Sequence, residues 1–332
     1  MVELQSLNFP KRAQFHVNSV PEAKVGDWAD HMRGATKMLV EAYPLRYGIS
    51  AVIEGTLPIG GLSSSAAVII AFLSALSAVN NIRLDPWEMI MMAKAAENRY
   101  VGVNCGKLDQ SCEVLCRKDE LLYLDCADDS YSLIPKPETM KPFRFAVFFS
   151  GLERSLATSA YNLRQDECKA AAYSLMAHAG LPYGKFQNTT LRDVPPFVFE
   201  EYKELLPPTF RRRATHFFGE FKRAEEGAEA WKNGDLETYG RLVFESGKSS
   251  VENYECGCPE LISLYNIMTR TDGIYGGRFS GAGFKGCCMA IIDPSREEEI
   301  LHEVERQYLK EYPALEGKYM GAICDSADGV IL

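Results

Sequence analysis

A glycine- and serine-rich segment at residues 58–67, PIGGLSSSAA, has the composition of an anion-binding loop. It lies between an expected strand at 48–57 and an expected buried helix at 66–79. Backbone N–H groups at a helix N-terminus favour anions, and the three serines add donors for phosphate oxygens and oxygen ligands for a hard cation. A plain helix cap is the alternative, but a cap needs only one serine. The segment therefore favours phosphate binding.

Two acids near a glycine turn form a second group of chemically active residues. Glu97 lies late on an expected helix at 85–100, and Asp109 follows a turn with two glycines. Phosphoryl transfer from a nucleotide needs one carboxylate on magnesium and one near the acceptor hydroxyl. A pair of ordinary surface carboxylates is the alternative, which the spacing alone slightly favours.

A second glycine-rich segment, RFSGAGFKG at 278–286, matches the G-x-G-x-x-G pattern of dinucleotide-binding folds. That pattern needs a helix directly after the loop, whereas CCMAIID at 287–293 is typical of a strand. The sequence has no G-x-x-x-x-G-K-[ST] segment and no H-R-D or D-F-G motif, which excludes P-loop NTPases and protein kinases. A glycine hairpin that packs against another backbone or a phosphate is the interpretation left.

Strands and helices are mixed along the chain, which indicates an α+β protein of two lobes. Further strands are expected at 120–126, 143–149, 274–280, 286–293 and 329–332, and further helices at 159–179, 208–232, 235–250, 259–270 and 295–310. We place the lobes at 1–150 and 151–332.

Composition excludes several classes of protein. The 332 residues carry a net charge of -9, so the chain lacks the positive surface that binds nucleic acid or an anionic membrane. It has no apolar run of about 18 residues and no apolar signal region near residue 1. The ten cysteines form no C-x-x-C pair, which argues against a zinc site. With no signal region, we expect reduced thiols in the cytoplasm. The oligomeric state is left open.

Four motifs together resemble the GHMP kinase superfamily and its galactokinase branch. PIGGLSSSA is similar to the family's phosphate-binding motif P-x-x-x-G-L-S-S-S-A, and CGKLDQ at 105–110 to the branch's C-G-x-x-D-Q. RFSGAGFKGCC resembles the C-terminal glycine motif, and SGLERSLATSAYNLR at 150–164 resembles the segment around the sugar-contacting tyrosine. The resemblance extends from about Asp27 to Asp293.

The resemblance implies a two-lobed GHMP kinase fold, with an N-terminal lobe of ribosomal-S5-like type and a ferredoxin-like C-terminal lobe. It implies ATP and Mg²⁺ as cofactors and Asp109 as the base, or charge partner, for the anomeric hydroxyl of a sugar. The other implied roles are ATP binding by Gly60, Gly61, Leu62, Ser63, Ser64, Ser65, Ala66 and Trp28; magnesium binding by Ser65 and Glu97; sugar contact by Gly106, Asp109 and Tyr161; and support of the site by the glycine loop Ser280, Gly281 and Gly283.

One family motif has no match in this sequence. Galactokinases carry G-R-x-N-L-x-G-E-H-x-D-Y near the N-terminus, which supplies an arginine at the transferred phosphate and contacts to the sugar. Residues 4–20 align with the family segment directly after that motif, by their distance before Trp28. We therefore expect a chain without the family's first segment, an N-terminal lobe without its first strands, and a large loss of rate.

Other segments point to the substrate. GFKGCC at 283–288, SVENYECG at 250–257 and FRFAVFFSGL at 143–152 resemble plant-type galacturonokinases, so galacturonate is favoured over galactose. A uronate needs a cation in its pocket, for which Lys285 is the first candidate and Arg99 and Lys107 are weaker ones. The alternative function is a catalytically inactive galactokinase-like protein that binds nucleotide or sugar.

Overall fold

The chain passes repeatedly between two units, so neither unit is a continuous stretch of sequence. The computed structural model describes residues 1–58, 60–152, 158–281, 283–284 and 286–330, without the side chains of 158–161. The first unit contains residues 1–59, 63–133 and 327–332, and the second contains 60–62 and 134–326. The predicted lobes, divided between residues 150 and 151, are a different division of the chain and stay a prediction.

A three-stranded sheet and four helices build the first unit. Strand β1 (Val2–Ser6) lies between β2 (Ala13–Phe15), antiparallel to it, and β3 (Ser50–Ile53), parallel to it. The helices are α1 (Asp30–Ala42), α2 (Ser64–Val79), α3 (Pro86–Ala95) and α4 (Leu108–Leu115). Their apolar side chains form one core, in which α2 buries Ile69, Leu73 and Leu76 completely or nearly so. Strands β4 (Glu120–Leu124) and β5 (Tyr131–Pro135) pair after α4.

Capping residues and a glycine fix where the segment from α3 to α4 begins and turns. The Asp85 carboxylate accepts hydrogen bonds from the backbone of Trp87 and Glu88, and Pro86 opens the helix, as the sequence predicts. A single π-helical turn, Ala96–Val101, continues α3 and ends at Gly102, whose φ is +86°. Glu97 therefore lies on a π turn, a geometry that frequently occurs at functional sites.

Residues near the C-terminus complete the end of α4. The backbone nitrogens of Gly329 and Val330 donate to the carbonyls of Cys116 and Glu113, both at 2.8 Å. The Asp328 carboxylate accepts from the backbone nitrogen of Lys118 at 2.8 Å. Carbonyls at a helix end have no partner inside the helix, so this distant segment supplies the donors.

A four-stranded antiparallel sheet forms the centre of the second unit. Its strands are β6 (Arg144–Phe149), β7 (Ile274–Phe279), β8 (Cys287–Ile292) and β9 (Met320–Cys324), in the order β7-β8-β6-β9. Helices α8 (Leu236–Glu252), α9 (Pro259–Met268) and α10 (Glu297–Glu311) accompany this sheet. A separate helical core joins α5 (Thr158–His178), α6 (Pro196–Tyr202) and α7 (Pro208–Lys232).

The α+β class predicted from the sequence is confirmed, together with the elements that have strong apolar patterns. The sequence prediction missed α1, α4, α6, β1, β2, β5 and β9. It also placed a strand at 329–332, where Gly329 and Val330 are not in a strand and the last two residues lie outside the described residues. Among the described residues, no helix has the length and apolarity needed to cross a membrane.

Candidate active site

The first glycine loop packs directly on the second. In the second unit, Gly60 and Gly61 are buried and have φ values of +136° and +85°, a backbone conformation that side-chain-bearing residues rarely adopt. A Cβ on Gly286 would lie 2.9 Å from the carbonyl carbon of Gly60. Leu62 packs against the cluster of Val147, Phe149 and Cys287. The interpretation as a close-packed glycine hairpin is therefore confirmed, and its partner is the backbone of the first loop.

The predicted glycine-loop residues are held by hydrogen bonds and tight contacts. Ser280 donates its backbone N–H to the carbonyl of Cys287 at 3.1 Å. The Ser150 side chain donates to the carbonyl of Gly286 at 2.8 Å. Gly281 and Gly283 have φ values of +64° and +72°, and a Cβ at Gly283 would lie 3.0 Å from the sulfur of Cys256. Ala282 and Lys285 lie outside the described residues.

The serines of the first motif open helix α2 in the first unit. Ser63 is the N-cap residue, with a φ of +50° and no side-chain capping hydrogen bond. Ser64 is exposed, Ser65 is half-buried and Ala66 is buried. Ser63 therefore does not act as a plain helix cap, because its side chain accepts no hydrogen bond from the first N–H groups of α2. Such groups suit an anion.

Glu97 is a buried carboxylate with neutral partners. Glu97 is only 5% exposed, and its Oε2 accepts a hydrogen bond from the Gln110 amide nitrogen at 2.5 Å. The Cys105 thiol lies 3.4 Å from the same oxygen. Asn98 exchanges hydrogen bonds with the backbone of Cys105, at 3.1 and 3.3 Å, and fixes the loop to the π turn. The surface-carboxylate alternative is wrong for Glu97.

Asp109 lies in the first turn of helix α4, one turn before a third acid, Glu113. It is half-buried in the first turn of the helix. Lys107, the N-cap residue, pairs with Asp129 and lies 5.9 Å from the centre of the Trp87 ring. At Glu113, burial, followed by the charges of Asp109 and Glu97, raises the carboxyl pKa to about 8. The three acids are therefore close enough to interact electrostatically.

The chemistry of this donor set fits a magnesium ion that arrives with a nucleotide. No group of three or more His, Cys, Asp or Glu side chains within the described residues could hold a metal by itself. Magnesium usually keeps several waters and binds one or two carboxylates together with substrate phosphates. The Glu97 side chain contacts two neutral groups among the described residues, the Gln110 amide and the Cys105 thiol. Neither is a cation, so a metal ion can supply the positive charge that a buried carboxylate needs.

The remaining predicted site residues, Trp28, Gly106 and Tyr161, differ in burial and in contacts. Trp28 is half-buried, donates from its ring nitrogen to the carbonyl of Lys11 at 2.8 Å and stacks on Phe9 with 6.1 Å between ring centres. Gly106 is exposed, and an added Cβ would meet no atom within 4 Å. Tyr161 belongs to α5, but its side chain lies outside the described part of the chain. Of the weaker candidates for a uronate, Arg99 pairs with Glu41 and Lys107 with Asp129.

Comparison with known proteins identifies the family. Residues 30–117 match the model of the GHMP kinases N terminal domain, and residues 225–310 match that of the GHMP kinases C terminal domain. The sequence is 38% identical to galacturonokinase from Arabidopsis thaliana over 98% of this chain and 82% of that protein. The chain belongs to the GHMP kinases. This GHMP kinase is also 33% identical to galactokinase from Pyrococcus furiosus, over 99% of this chain and 87% of that one.

A solved structure supports the same assignment. The crystal structure of Lactococcus lactis galactokinase complexed with galactose matches 99% of this chain and 82% of its own, with a TM-score of 0.87 and 26% identity. The GHMP kinase fold implied by the sequence motifs is therefore confirmed.

The sequence did not indicate some residues that lie around the candidate site. Gln110 and Cys105 belong to the CGKLDQ motif, but the motif does not reveal that both contact Glu97. Phe9, which is 40% exposed and stacks on Trp28, was not noted. An exposed aromatic residue near a proline and two basic residues gives no signal of its own; only the fold brings it to Trp28.

Proposed function

We propose that this GHMP kinase is an ATP-dependent sugar 1-kinase that phosphorylates the anomeric hydroxyl of a galactose-type sugar, with galacturonate favoured over galactose. The observation that carries the proposal is the relationship to a galacturonokinase along nearly the whole chain, at 38% identity. The buried Glu97 and the neighbouring Asp109 support the type of reaction, because phosphoryl transfer needs a metal carboxylate and an acceptor for the hydroxyl proton.

The first motif binds the nucleotide in this proposal. The N–H groups of Gly60, Gly61 and Leu62, together with Ser63 to Ala66 at the start of α2, hold the phosphates. Trp28 lines the adenine pocket. Ser280, Gly281 and Gly283 support the first loop, since the two glycine segments pack on each other.

Glu97 and Ser65 hold Mg²⁺, which neutralises phosphate charge when it is bound with ATP. Asp109 accepts the proton of the anomeric hydroxyl while the bond from that oxygen to the γ-phosphorus forms and the bond from phosphorus to the leaving ADP oxygen breaks. A sugar hydroxyl has a pKa far above that of an aspartic acid, so the proton moves as the new bond forms and not before.

Sugar recognition involves Gly106, Asp109 and Tyr161 in this proposal. A uronate carries a carboxylate that needs a cationic partner, and Lys285 is the proposed partner. All ten cysteines are free thiols, which agrees with a cytoplasmic location, where thiols stay reduced.

The test is ADP release with ATP and Mg²⁺ in the presence of galacturonate, galactose or N-acetylgalactosamine. We expect turnover with galacturonate, and we expect Asp109→Asn to abolish it while ATP still binds. Asp166→Asn, an exposed acid on α5, is the matched control and should keep full activity. Near-normal turnover by Asp109→Asn would refute the role of Asp109. ATP binding without turnover of any sugar would favour an inactive binding protein.

A further inference from the structure

We propose that Gln110 is a positioning residue that orients the Glu97 carboxylate for magnesium and couples it to the helix that carries Asp109. The inference rests on the proposed function, because it takes Glu97 as a metal ligand and Asp109 as the proton acceptor. It adds a residue, with a defined task, to that site.

The hydrogen bond between the two side chains lies inside the first unit. Gln110 is 1% exposed and Glu97 is 5% exposed, and the Gln110 Nε2 donates to Glu97 Oε2 at 2.5 Å. Rotating the amide by half a turn would place its oxygen against the carboxylate, so only one orientation is favourable. A hydrogen bond to a charged acceptor is among the stronger ones in proteins.

The amide oxygen of Gln110 accepts no hydrogen bond from the described residues in this orientation. The Oε1 atom is buried and has no hydrogen-bond partner among the described residues. A buried acceptor without a partner is unfavourable, so packing and the bond to Glu97 must together outweigh that cost. The amide nitrogen is the atom through which Gln110 contacts the site, at Glu97 Oε2 and at the Cys105 sulfur.

Cys105 acts on the same carboxylate oxygen. Its sulfur is 3.4 Å from Glu97 Oε2 and 3.2 Å from Asn98 Oδ1. A thiol carries one hydrogen, which these two oxygens share as acceptors. The Gln110 amide donates to Oε2, and the Cys105 thiol lies near the same oxygen. Neither contacts Oε1, so the carboxylate is held by one oxygen and the other is left for a cation.

The identity of the donor matters for a metal ligand. A lysine or arginine in place of Gln110 would neutralise Glu97 and compete with the cation, whereas an amide orients the carboxylate and leaves its charge. Gln110 directly follows Asp109 in α4. The same helical turn therefore carries the proton acceptor and the support of the metal ligand, so the two groups cannot shift independently.

The test compares Gln110→Met with Ser111→Ala. Methionine has a similar length and no amide donor. Ser111 is 0% exposed, and its hydroxyl has no partner among the described residues, so Ser111→Ala measures a general disturbance of α4. The readout is Mn²⁺ binding in the presence of a non-hydrolysable ATP analogue, followed by electron paramagnetic resonance.

We expect Gln110→Met to weaken Mn²⁺ binding about tenfold, the effect typical of outer ligands around a metal, and Ser111→Ala to stay within about twofold of wild type. In turnover, the Mg²⁺ concentration for half-maximal rate should rise by a similar factor, with the KM for sugar unchanged. If Gln110→Met fails to fold, Gln110→Asn keeps an amide but withdraws it from Glu97 by one methylene group, and it should weaken Mn²⁺ binding by a similar factor.

Unchanged Mn²⁺ affinity in the Gln110 variant would overturn the proposal, as would an equal loss in Ser111→Ala or a wild-type protein that binds no Mn²⁺ with the nucleotide. The binding measurement needs no sugar. A wild-type protein that binds Mn²⁺ and nucleotide but phosphorylates no sugar would refute the proposed function, while the comparison of variants would still decide the role of Gln110.

Discussion

Gly61 lies against Cys287 so closely that a Cβ at position 61 would be 2.6 Å from the Cys287 sulfur and 2.7 Å from its backbone nitrogen. No real Cβ approaches other atoms so closely without a shift of the structure. The contact joins two glycine-rich segments that are far apart in the sequence, and it explains why both need residues without side chains. A substitution at Gly61 must therefore disturb both segments together.

We expect Gly61→Ala to lower the free energy of unfolding by about 2–4 kcal/mol, because alanine is strained at positive φ and the added methyl group overpacks the contact. Urea unfolding measures the change. Gly184→Ala is the control: an added Cβ there meets no atom within 4 Å, and the φ of Gly184 is not in the left-handed range. Equal stability of the two variants would contradict the close packing.

Arg213 is a buried cation shared by two acids. Its guanidinium, 1% exposed, binds Glu167 and Glu255, each at 2.6 Å, and donates to the carbonyl of Asn253. Arg213→Met should lower the free energy of unfolding by about 2–3 kcal/mol, since it removes a buried cation and leaves the Asn253 carbonyl without its donor. The two carboxylates keep a second arginine each, Arg164 at Glu167 and Arg212 at Glu255. Chemical denaturation followed by circular dichroism gives this value.

The matched control for Arg213 is on the same helix. Arg211 pairs with Glu204, and both side chains are well exposed, at 37% and 72%. Arg211→Met should cost less than about 1 kcal/mol. If the two substitutions cost the same, the buried cluster does not stabilise the junction of α5, α7 and the end of α8.

Glu113 should make the protein less stable at alkaline pH. Burial raises the pKa of this carboxyl to about 8, above the value of an exposed glutamate near 4.5. The unfolded chain therefore loses the proton more readily, so stability is greatest below about pH 4.5 and falls as pH rises through 8. Glu113→Gln should remove this dependence. Thermal unfolding from pH 5 to 9 measures it, and parallel curves for variant and wild type would refute it.

His216 should have the opposite effect at acid pH. Burial lowers the pKa of its imidazole to about 4, and its Nδ1 lies 3.0 Å from the Ser249 hydroxyl. Because the unfolded chain binds the proton near pH 6.5, stability is present above that pH and is lost as pH falls towards 4. His216→Gln should flatten the melting temperature between pH 6.5 and 4. A slope equal to that of wild type would show that His216 is accessible to protons in the folded state.

The fold was predictable where a local signal is strong. Asp85 and Pro86 mark the start of α3, and the apolar run from Ala66 to Val79 marks α2, because capping and burial both depend on neighbouring residues. Helix α4 has only eight residues after a glycine turn, too short for a clear period. Strand β9 contains residues that also suit a loop or a helix, and only its pairing with β6 makes it a strand.

The chemistry of the site was predictable by residue type but not by contact. Glycines, serines and two acids indicated phosphate and metal chemistry. The bond from Gln110 to Glu97 crosses a π turn and a loop, and a π turn has no reliable sequence signal. The stacking of Phe9 on Trp28 likewise depends on chain geometry that sequence spacing does not encode.

The donors that complete α4 have a consequence for synthesis on the ribosome. The carbonyls of Glu113 and Cys116 are paired with the nitrogens of Val330 and Gly329, which are translated long after Asp109. At about 5–20 residues per second, a nascent chain waits roughly 10–40 s before this helix end gains its partners. Throughout that interval the second unit is being made and can fold. The helix with the proposed proton acceptor is thus finished last during translation, although it is made early.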